Sequence, residues 1–572
     1  MDQIMFLLRG FLLILSFYGY IQYLQKRIRL EFTISILFCG IGSVMVFAGI
    51  LNILPETAWV IFAFGIYLAV KSLRRKERIM NVLSIGTVFW VVLAAFFLFL
   101  LHGSEFTHYD NFSHWAVAPK IMIRYHRFPN FSNQNLTFAA YPLGSASFIY
   151  YITKILGITS EWVQMYAQAV LMTGMLISMF AFCEKPYQAL LAGLGSLLLL
   201  CGNTSFVDLL VDSLLPITAL SAMAFCIYYG RDLVRRMWAV VPYSIFLLSI
   251  KNSGILFAVI LLYYTWRSTR LENITLKKWL FVLIPPASAL ILWQKHVDLV
   301  FSDGLLSKHS MSVSNYSYIF VEKNFSEIIT IVQKMVFQTC SFSNRALWAL
   351  LFGLVLCVFF KYLVPESGQT MKKTFLLAVA VYVLYQLGTL GMYLFSMPGS
   401  EALSLAGYSR YHQTIVMYVT GLIIIETMQG LAELQSTPFR TIRSIATVIV
   451  ALTFIYYTLA PNLSFYRKQN LEKTERYKFD QLIAQYDIQE GLSYLILASE
   501  DRNDGGYLYF MSKYLLDPAY VLIQPGKNLS QIHLSDFDYV IAFEETDEIW
   551  AFLSEISSAN PAPVVNLHEK QF

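Results

Sequence analysis

Long uninterrupted apolar runs decide what this chain can fold into. Val82 to Leu101, Thr374 to Phe395 and Ile442 to Leu459 come close to or exceed the roughly 20 residues an α-helix needs to cross a hydrocarbon core. Lipid offers the backbone no hydrogen-bond partner, so such runs predict helices that satisfy their own amides. About fourteen spanning candidates are read along the chain on this criterion. With 57% hydrophobic and only 14% charged residues among 572, one soluble globule is excluded. The net charge is only +5, and Lys and Arg sit in short loops rather than in a basic stripe. Nucleic acid is therefore not expected as a partner.

The positive-inside rule gives a consistent topology when Arg74 to Arg78 is placed in the cytoplasm. Lys26 to Arg29, Arg231 to Arg236, Arg267 to Lys278 and Lys361 to Lys373 then fall inside as well. The solution requires that Tyr141 to Gly157 lies along the outer face or dips in without crossing. The outer side is then expected to carry the loops 103–160, 297–344 and 397–412 and everything after residue 462. The N-terminus shows no signal-peptide pattern, so its apolar run is read as a retained helix. Cys39, Cys201, Cys226 and Cys357 lie in or beside apolar runs, and no CxxC or Cys/His spacing points to zinc.

From residue 463 to 572 the pattern changes to short strand-like and helix-like runs. Leu492–Ala498, Tyr520–Ile523, Tyr539–Phe543 and Val564–Leu567 read as buried strands, with Gly506–Leu516 and Asp547–Ile556 as helices. That alternation predicts a small α/β domain with a largely parallel sheet. Gly505-Gly506 before a helix is taken as a plain connection. The fold class expected is thus an α-helical polytopic membrane protein with a small C-terminal extracytoplasmic α/β domain.

The chemistry-bearing residues concentrate in the outer loops. Thr107-His-Tyr-Asp-Asn-Phe-Ser-His-Trp-Ala-Val-Ala-Pro-Lys120 places acid, imidazole, indole and amine just beyond a helix ending near His102. Asp110 reads either as a helix cap or as a base facing an arriving hydroxyl. His114, four residues on, shares its face if the stretch is helical. Trp115 suits the interface belt or stacking on a sugar ring. Tyr141-Pro-Leu-Gly144 opens the non-spanning segment, Pro142 fixing φ and Gly144 permitting a turn or a close approach. Lys251, in Ser249-Ile-Lys-Asn-Ser-Gly254, sits where the charge rule disfavours a lysine, as a phosphate partner or a snorkelling side chain. Arg410, in Ser409-Arg-Tyr411, has the planar fork that takes two phosphate oxygens, although an Arg-Tyr pair can also simply anchor a helix. Lys308 and His309 form a further basic pair. Asp208 and Asp212 are read as caps or water-facing groups that could line the same cavity.

An Asp in the first outer loop, Tyr-Pro-x-Gly after it, a Lys-Asn-x-Gly junction and a late Ser-Arg-Tyr together resemble the GT-C superfamily of integral-membrane glycosyltransferases. That superfamily includes oligosaccharyltransferases, protein O-mannosyltransferases and lipid A aminoarabinose transferases. The likeness covers roughly Val82 to Leu459. It implies a catalytic transmembrane domain at 81–462, extra helices in 1–80, and an extracytoplasmic domain at 463–572. The implied donor is a polyprenyl-phosphate-linked sugar, and the acceptor a glycan, lipid or protein at a bacterial plasma membrane. Asp110 is then the base, with Arg410, Tyr411 and Lys251 on the donor phosphate. His114, Trp115, Tyr141, Lys308 and His309 are then the substrate contacts. Asn111 stands where some members carry a second acid, which leaves a divalent metal, Mg2+ or Mn2+, open.

Chemistry supports the same inventory independently. A glycosidase protonates a poor leaving group and needs two carboxylates, whereas a lipid phosphate departs as a stabilised anion and needs one base and a few cations. A polysaccharide polymerase or ligase is the nearer rival. A transporter or flippase should show ionisable residues at the bilayer midplane and two repeated halves, neither of which is evident.

Overall fold

A computed structural model describes residues 2–74, 83–133, 136–201, 206–272, 274–301, 320, 323–434, 440–459, 468–517, 520–525, 532–556 and 562–568. Among them, ten helices are long and apolar enough to cross a membrane. Those formed by Leu30–Ile50, Glu161–Phe182, Leu214–Arg235 and Tyr408–Ala432 are largely buried. Ile4–Leu24, Leu276–Val300, Arg345–Leu363 and Arg440–Leu459 lie at the periphery and expose apolar side chains such as Leu7, Ile291, Val355 and Leu452. That arrangement matches the solvent: with hydrocarbon outside, an apolar residue loses nothing by facing out.

About fourteen spans are expected from the sequence, and the described residues show ten of full spanning length. Ile85–Leu101, Pro186–Cys201 and Met237–Ile250 are apolar but shorter than the spanning length. Apolar runs also arise where a short helix is packed on all sides by other helices. Gly144–Leu156, inside the stretch expected not to cross, is such a case: its 13 residues span about 20 Å and are buried almost throughout. It packs against the helices Leu30–Ile50 and Glu161–Leu176 rather than lying on a surface.

The bundle has two chemically distinct ends. At one, the basic loops meet: the Arg236 Nε donates to the Arg27 carbonyl at 2.9 Å, and the Arg29 amide donates to the Tyr229 hydroxyl at 2.7 Å. The helix Leu214–Tyr229 runs from there about 24 Å to Asp212 at the opposite end. The α/β domain belongs to that second end.

Its sheet follows the sequence reading closely. Strands β1 (Ser493–Leu497), β2 (Tyr520–Gln524), β3 (Tyr539–Ala542) and β4 (Val564–Asn566) are ordered β2-β1-β3-β4. β1 pairs parallel with β2 and β3, and β4 closes the edge antiparallel. Alternation along β1 splits the core. Leu495 and Leu497 pack with Ile549 and Leu553 of the helix Asp547–Ile556. Tyr494 and Ile496 face the opposite side, with Leu508 and Met511 of the helix Tyr507–Leu516, in a core continuous with the helical bundle. The helix Glu475–Tyr486, which strand and helix patterning did not single out, joins this second layer.

Arg476 on that helix clamps the domain to the first loop. Its guanidinium donates to the Phe106 carbonyl at 3.2 Å and pairs with Glu161 at 3.3 Å, while Glu161 accepts the Phe106 amide at 2.6 Å. Burial disfavours the Arg476 charge, but Glu161 and then Asp480 outweigh it and raise its pKa. Tyr507 donates to the Thr107 carbonyl at 3.0 Å, and Phe112 meets the rings of Tyr507 and Tyr514 edge-on or tilted. Removing one partner of such a pair strands the other charge. Arg476→Met should therefore destabilise the protein by about 2–4 kcal/mol in thermal unfolding, with partial recovery when Glu161→Gln is added. An unchanged melting temperature for the single variant would show that the clamp carries no stability.

Candidate functional site

Four charged side chains from distant stretches meet above the bundle end that carries the α/β domain. Asp110 ends a helical turn that leads into a π-helical stretch, Asn111–Trp115. Asp212 precedes the helix Leu214–Tyr229. Lys251 is an extended residue between the helices Val240–Ile250 and Gly254–Thr269. Arg410 lies in the first turn of Tyr408–Glu433.

Asp212 is the hub. Lys251 Nζ donates to its Oδ1 at 2.7 Å, and Arg410 Nε lies 3.5 Å from its Oδ2. Thr414, one turn after Arg410, donates to its backbone carbonyl at 2.9 Å. Burial pushes the Asp212 carboxyl up, but Lys251 and then Arg410 outweigh it and hold the group below the usual carboxylate range. Arg410 reaches across to Asp110 with Nη1 in a direct ion pair. Its Nε is buried, faces Asp212 and makes no hydrogen bond among the described residues. The Tyr411 ring lies against both cations, 4.7 Å from Lys251 Nζ and 5.6 Å from the Arg410 guanidinium carbon.

Exposure grades across the cluster. The side chains of Asp212 and Lys251 expose 11% and 12%, those of Asp110 and Arg410 19% and 33%. An arriving molecule therefore meets the Asp110–Arg410 pair before the inner one.

Two glycines make the convergence possible. A Cβ on Gly254 would stand 1.9 Å from the Leu247 carbonyl oxygen, and one on Gly144 would stand 2.7 Å from the Ser249 backbone oxygen. The chain can double back at Lys251, and the helix after Tyr141 can dock beside it, only without side chains there.

The sequence-derived residues separate into groups. Asp110, Lys251, Arg410 and Tyr411 come together. His114, Trp115 and Tyr141 form an adjoining aromatic wall with Phe138: His114 meets Tyr141 edge-on at 5.1 Å, and Phe138 stacks on Tyr141 at 5.1 Å. Burial, with Tyr411 and Asp212 adding to it, raises the Tyr141 hydroxyl. Lys308 and His309 lie outside the described residues. The reading of Asp212 as a cap or water-facing group is corrected: it is buried and doubly paired. Asp208 does cap its own turn, accepting the Leu210 amide at 3.0 Å. Asn111 is buried and accepts the Leu209 amide at 3.0 Å, so the side chain beside Asp110 fixes the Asp212 segment.

The donor set does not fit a divalent metal. Mg2+ or Mn2+ wants several free oxygen ligands, whereas both carboxylates here are engaged by cations that would repel it. Among the described residues no group of three or more His, Cys, Asp or Glu is placed to hold one.

His114 is fully enclosed, and burial, followed by the charge of Lys251, pushes its pKa down to about 3. Its Nδ1 makes no hydrogen bond among the described residues, so it behaves as a neutral aromatic. An unfolded His takes up a proton near pH 6.5, so its contribution to stability is intact above that pH and is lost as pH falls toward 3. Between pH 7 and pH 4 the loss should be on the order of 3 kcal/mol. His114→Phe should flatten the unfolding-temperature profile in that window, and a profile parallel to the parent protein's would contradict the buried neutral state.

Comparison of the chain with protein-family models, with curated proteins and with solved structures returned no match, so the chemistry of this cluster is read from its own geometry.

Proposed function

We propose that the chain is an integral-membrane glycosyltransferase that moves a sugar from a polyprenyl-phosphate donor to an acceptor hydroxyl on the extracytoplasmic face. The observation that supports this reading most is the charge-balanced relay Asp110–Arg410–Asp212–Lys251 at the bundle end remote from the basic loops. Two cations and two carboxylates balance without a ligand. A phosphate arriving at the half-buried Arg410 substitutes for Asp110, and the cluster remains compensated. Binding the donor thereby frees the carboxylate that chemistry requires.

The step then balances simply. The acceptor oxygen attacks the anomeric carbon from the face opposite the leaving group, the bond from that carbon to the phosphate oxygen breaks, and Asp110 takes the hydroxyl proton. Polyprenyl phosphate departs with the electron pair, its charge held by Arg410 and Lys251, and configuration inverts. Fixed cations in a water-poor site stabilise such a leaving group without reorganisation.

A place for the carrier chain shares a helix with the relay. An apolar cavity of about 500 Å³ lies among the helices Pro186–Cys201, Arg345–Leu363, Tyr408–Glu433 and Arg440–Leu459, lined by Leu198, Phe352, Met417, Ile424 and Phe454. Gln413, three residues after Arg410, lies at its wall. The helix Tyr408–Glu433 thus carries both the Arg410 fork and part of the apolar cavity wall. A bacterial plasma membrane, with lipid-linked sugars on its outer side, is the setting this reading implies.

In purified protein supplied with a polyprenyl-phosphate sugar, Asp110→Asn should lower kcat by at least about 10²-fold. Arg410→Lys keeps the charge but loses the two-point fork, and should lower kcat/KM about 10-fold or more. Transfer by Asp110→Asn at the parent rate would remove Asp110 from the mechanism.

A further inference from the structure

A second cavity, of about 660 Å³, separates the first-loop helix Val117–Tyr125 from the α/β domain. Its size is within the range of ligand sites, about 300–1,000 Å³. Lys120, Arg124, Arg127 and Lys513 line it, against one carboxylate among the described lining residues, Asp517. Arg124 pairs with Asp517 at 2.8 Å and with Glu490 at 3.2 Å, which leaves the lining with an excess of positive charge.

The cations are interleaved with tyrosines. Lys120 Nζ lies 4.7 Å from the Tyr514 ring centre and Lys513 Nζ 4.5 Å from that of Tyr509. The guanidinium carbons of Arg124 and Arg127 lie 5.6 and 5.4 Å from the Tyr125 ring. Tyr125 and Tyr520 line the cavity and remain exposed, Tyr520 tilted against Phe537. Ser132 and Asn133, which accept from Arg127 at 3.4 and 3.3 Å, add hydroxyl and amide groups, and among the described lining residues the aliphatic side chains are Val117, Ile121 and Val521.

We infer that this cleft binds an acidic glycan, its sugar rings on the exposed tyrosines and its anionic groups on Arg127, Lys513 and their neighbours. Aromatic faces suit the apolar side of a pyranose, and a guanidinium fork suits a carboxylate or a phosphodiester. A lipid would need an acyl channel, which three aliphatic side chains do not provide. A nucleic acid would need a basic track longer than one cavity, in a chain whose charge excess is small. The cleft and the relay share one segment, since Asp110, the turn Asn111–Trp115 and the helix Val117–Tyr125 follow each other directly. That the bound glycan is also the acceptor rests on the transferase reading; the binding itself does not.

The test is equilibrium binding to the full chain in zwitterionic nanodiscs, with no donor present. The probes are an oligogalacturonate, a glycerol-phosphate oligomer, a neutral dextran of matching length and a single-stranded oligonucleotide of matching charge. At least one acidic glycan should bind 10-fold or more tightly than dextran and weaken as salt rises, and the one that does distinguishes carboxylate from phosphodiester. Arg127→Gln with Lys513→Gln should lose 10-fold or more of that affinity, while Arg127→Lys with Lys513→Arg should retain most of it. Equal binding of dextran, undiminished binding by the Gln pair, or tighter binding of the oligonucleotide or of anionic nanodiscs than of either glycan would overturn the inference. Because glycan binding is read with no donor present, failure of the transferase reading leaves this result standing, and the reverse also holds.

Discussion

Two carboxylates and two cations held at the mouth of an apolar helical bundle are the constraint around which the rest of this structure is arranged. Removing such groups from water costs several kcal/mol each, and mutual attraction in a low-dielectric setting repays this only when the partners are all present. Asp212 alone answers both cations, so losing any one member leaves another uncompensated. Apolar residues of similar volume would hold the bundle end at least as well. Retention of four charges there points to use rather than to stability, and the graded exposure from Asp212 out to Arg410 gives that use a direction.

The surroundings are subordinate to this arrangement. Gly254 and Gly144 let two backbones approach closely beside Lys251. Asn111 ties the first loop to the segment before Asp212. The α/β domain braces the loop that carries Asp110 from above, through Arg476, Tyr507 and the rings around Phe112. The domain thereby rests on the backbone that leads into Asp110. The basic cleft between the two bodies gives that contact a second purpose.

Much of this was legible in the residues, for reasons that differ by element. The four strands were readable because short apolar runs bounded by turns leave few alternatives, and Tyr494/Ile496 against Leu495/Leu497 obeys the two-residue period. Lys251 stood out because a lysine at that point runs against the charge rule. Asp212 did not, because nothing within its own neighbourhood distinguishes a hub from a cap; its partners are 39 and 198 residues away. Its one local signal was a second acid four residues after Asp208, between apolar runs. Sequence apolarity does not by itself count the spans, because it reports exclusion from water, and a short helix packed inside a bundle is excluded as fully as one in lipid. Lys308 and His309 lie outside the described residues.

The exchange of Asp110 for a lipid phosphate at Arg410 is the central claim, and binding of polyprenyl phosphate without its sugar tests it most directly. If the carboxylate and the phosphate compete for one guanidinium, Asp110→Asn binds the lipid phosphate more tightly than the parent chain in a nanodisc titration, and Arg410→Gln binds it at least 10-fold more weakly. Weaker binding by Asp110→Asn, or equal binding by all three proteins, would show that the phosphate does not dock at this pair.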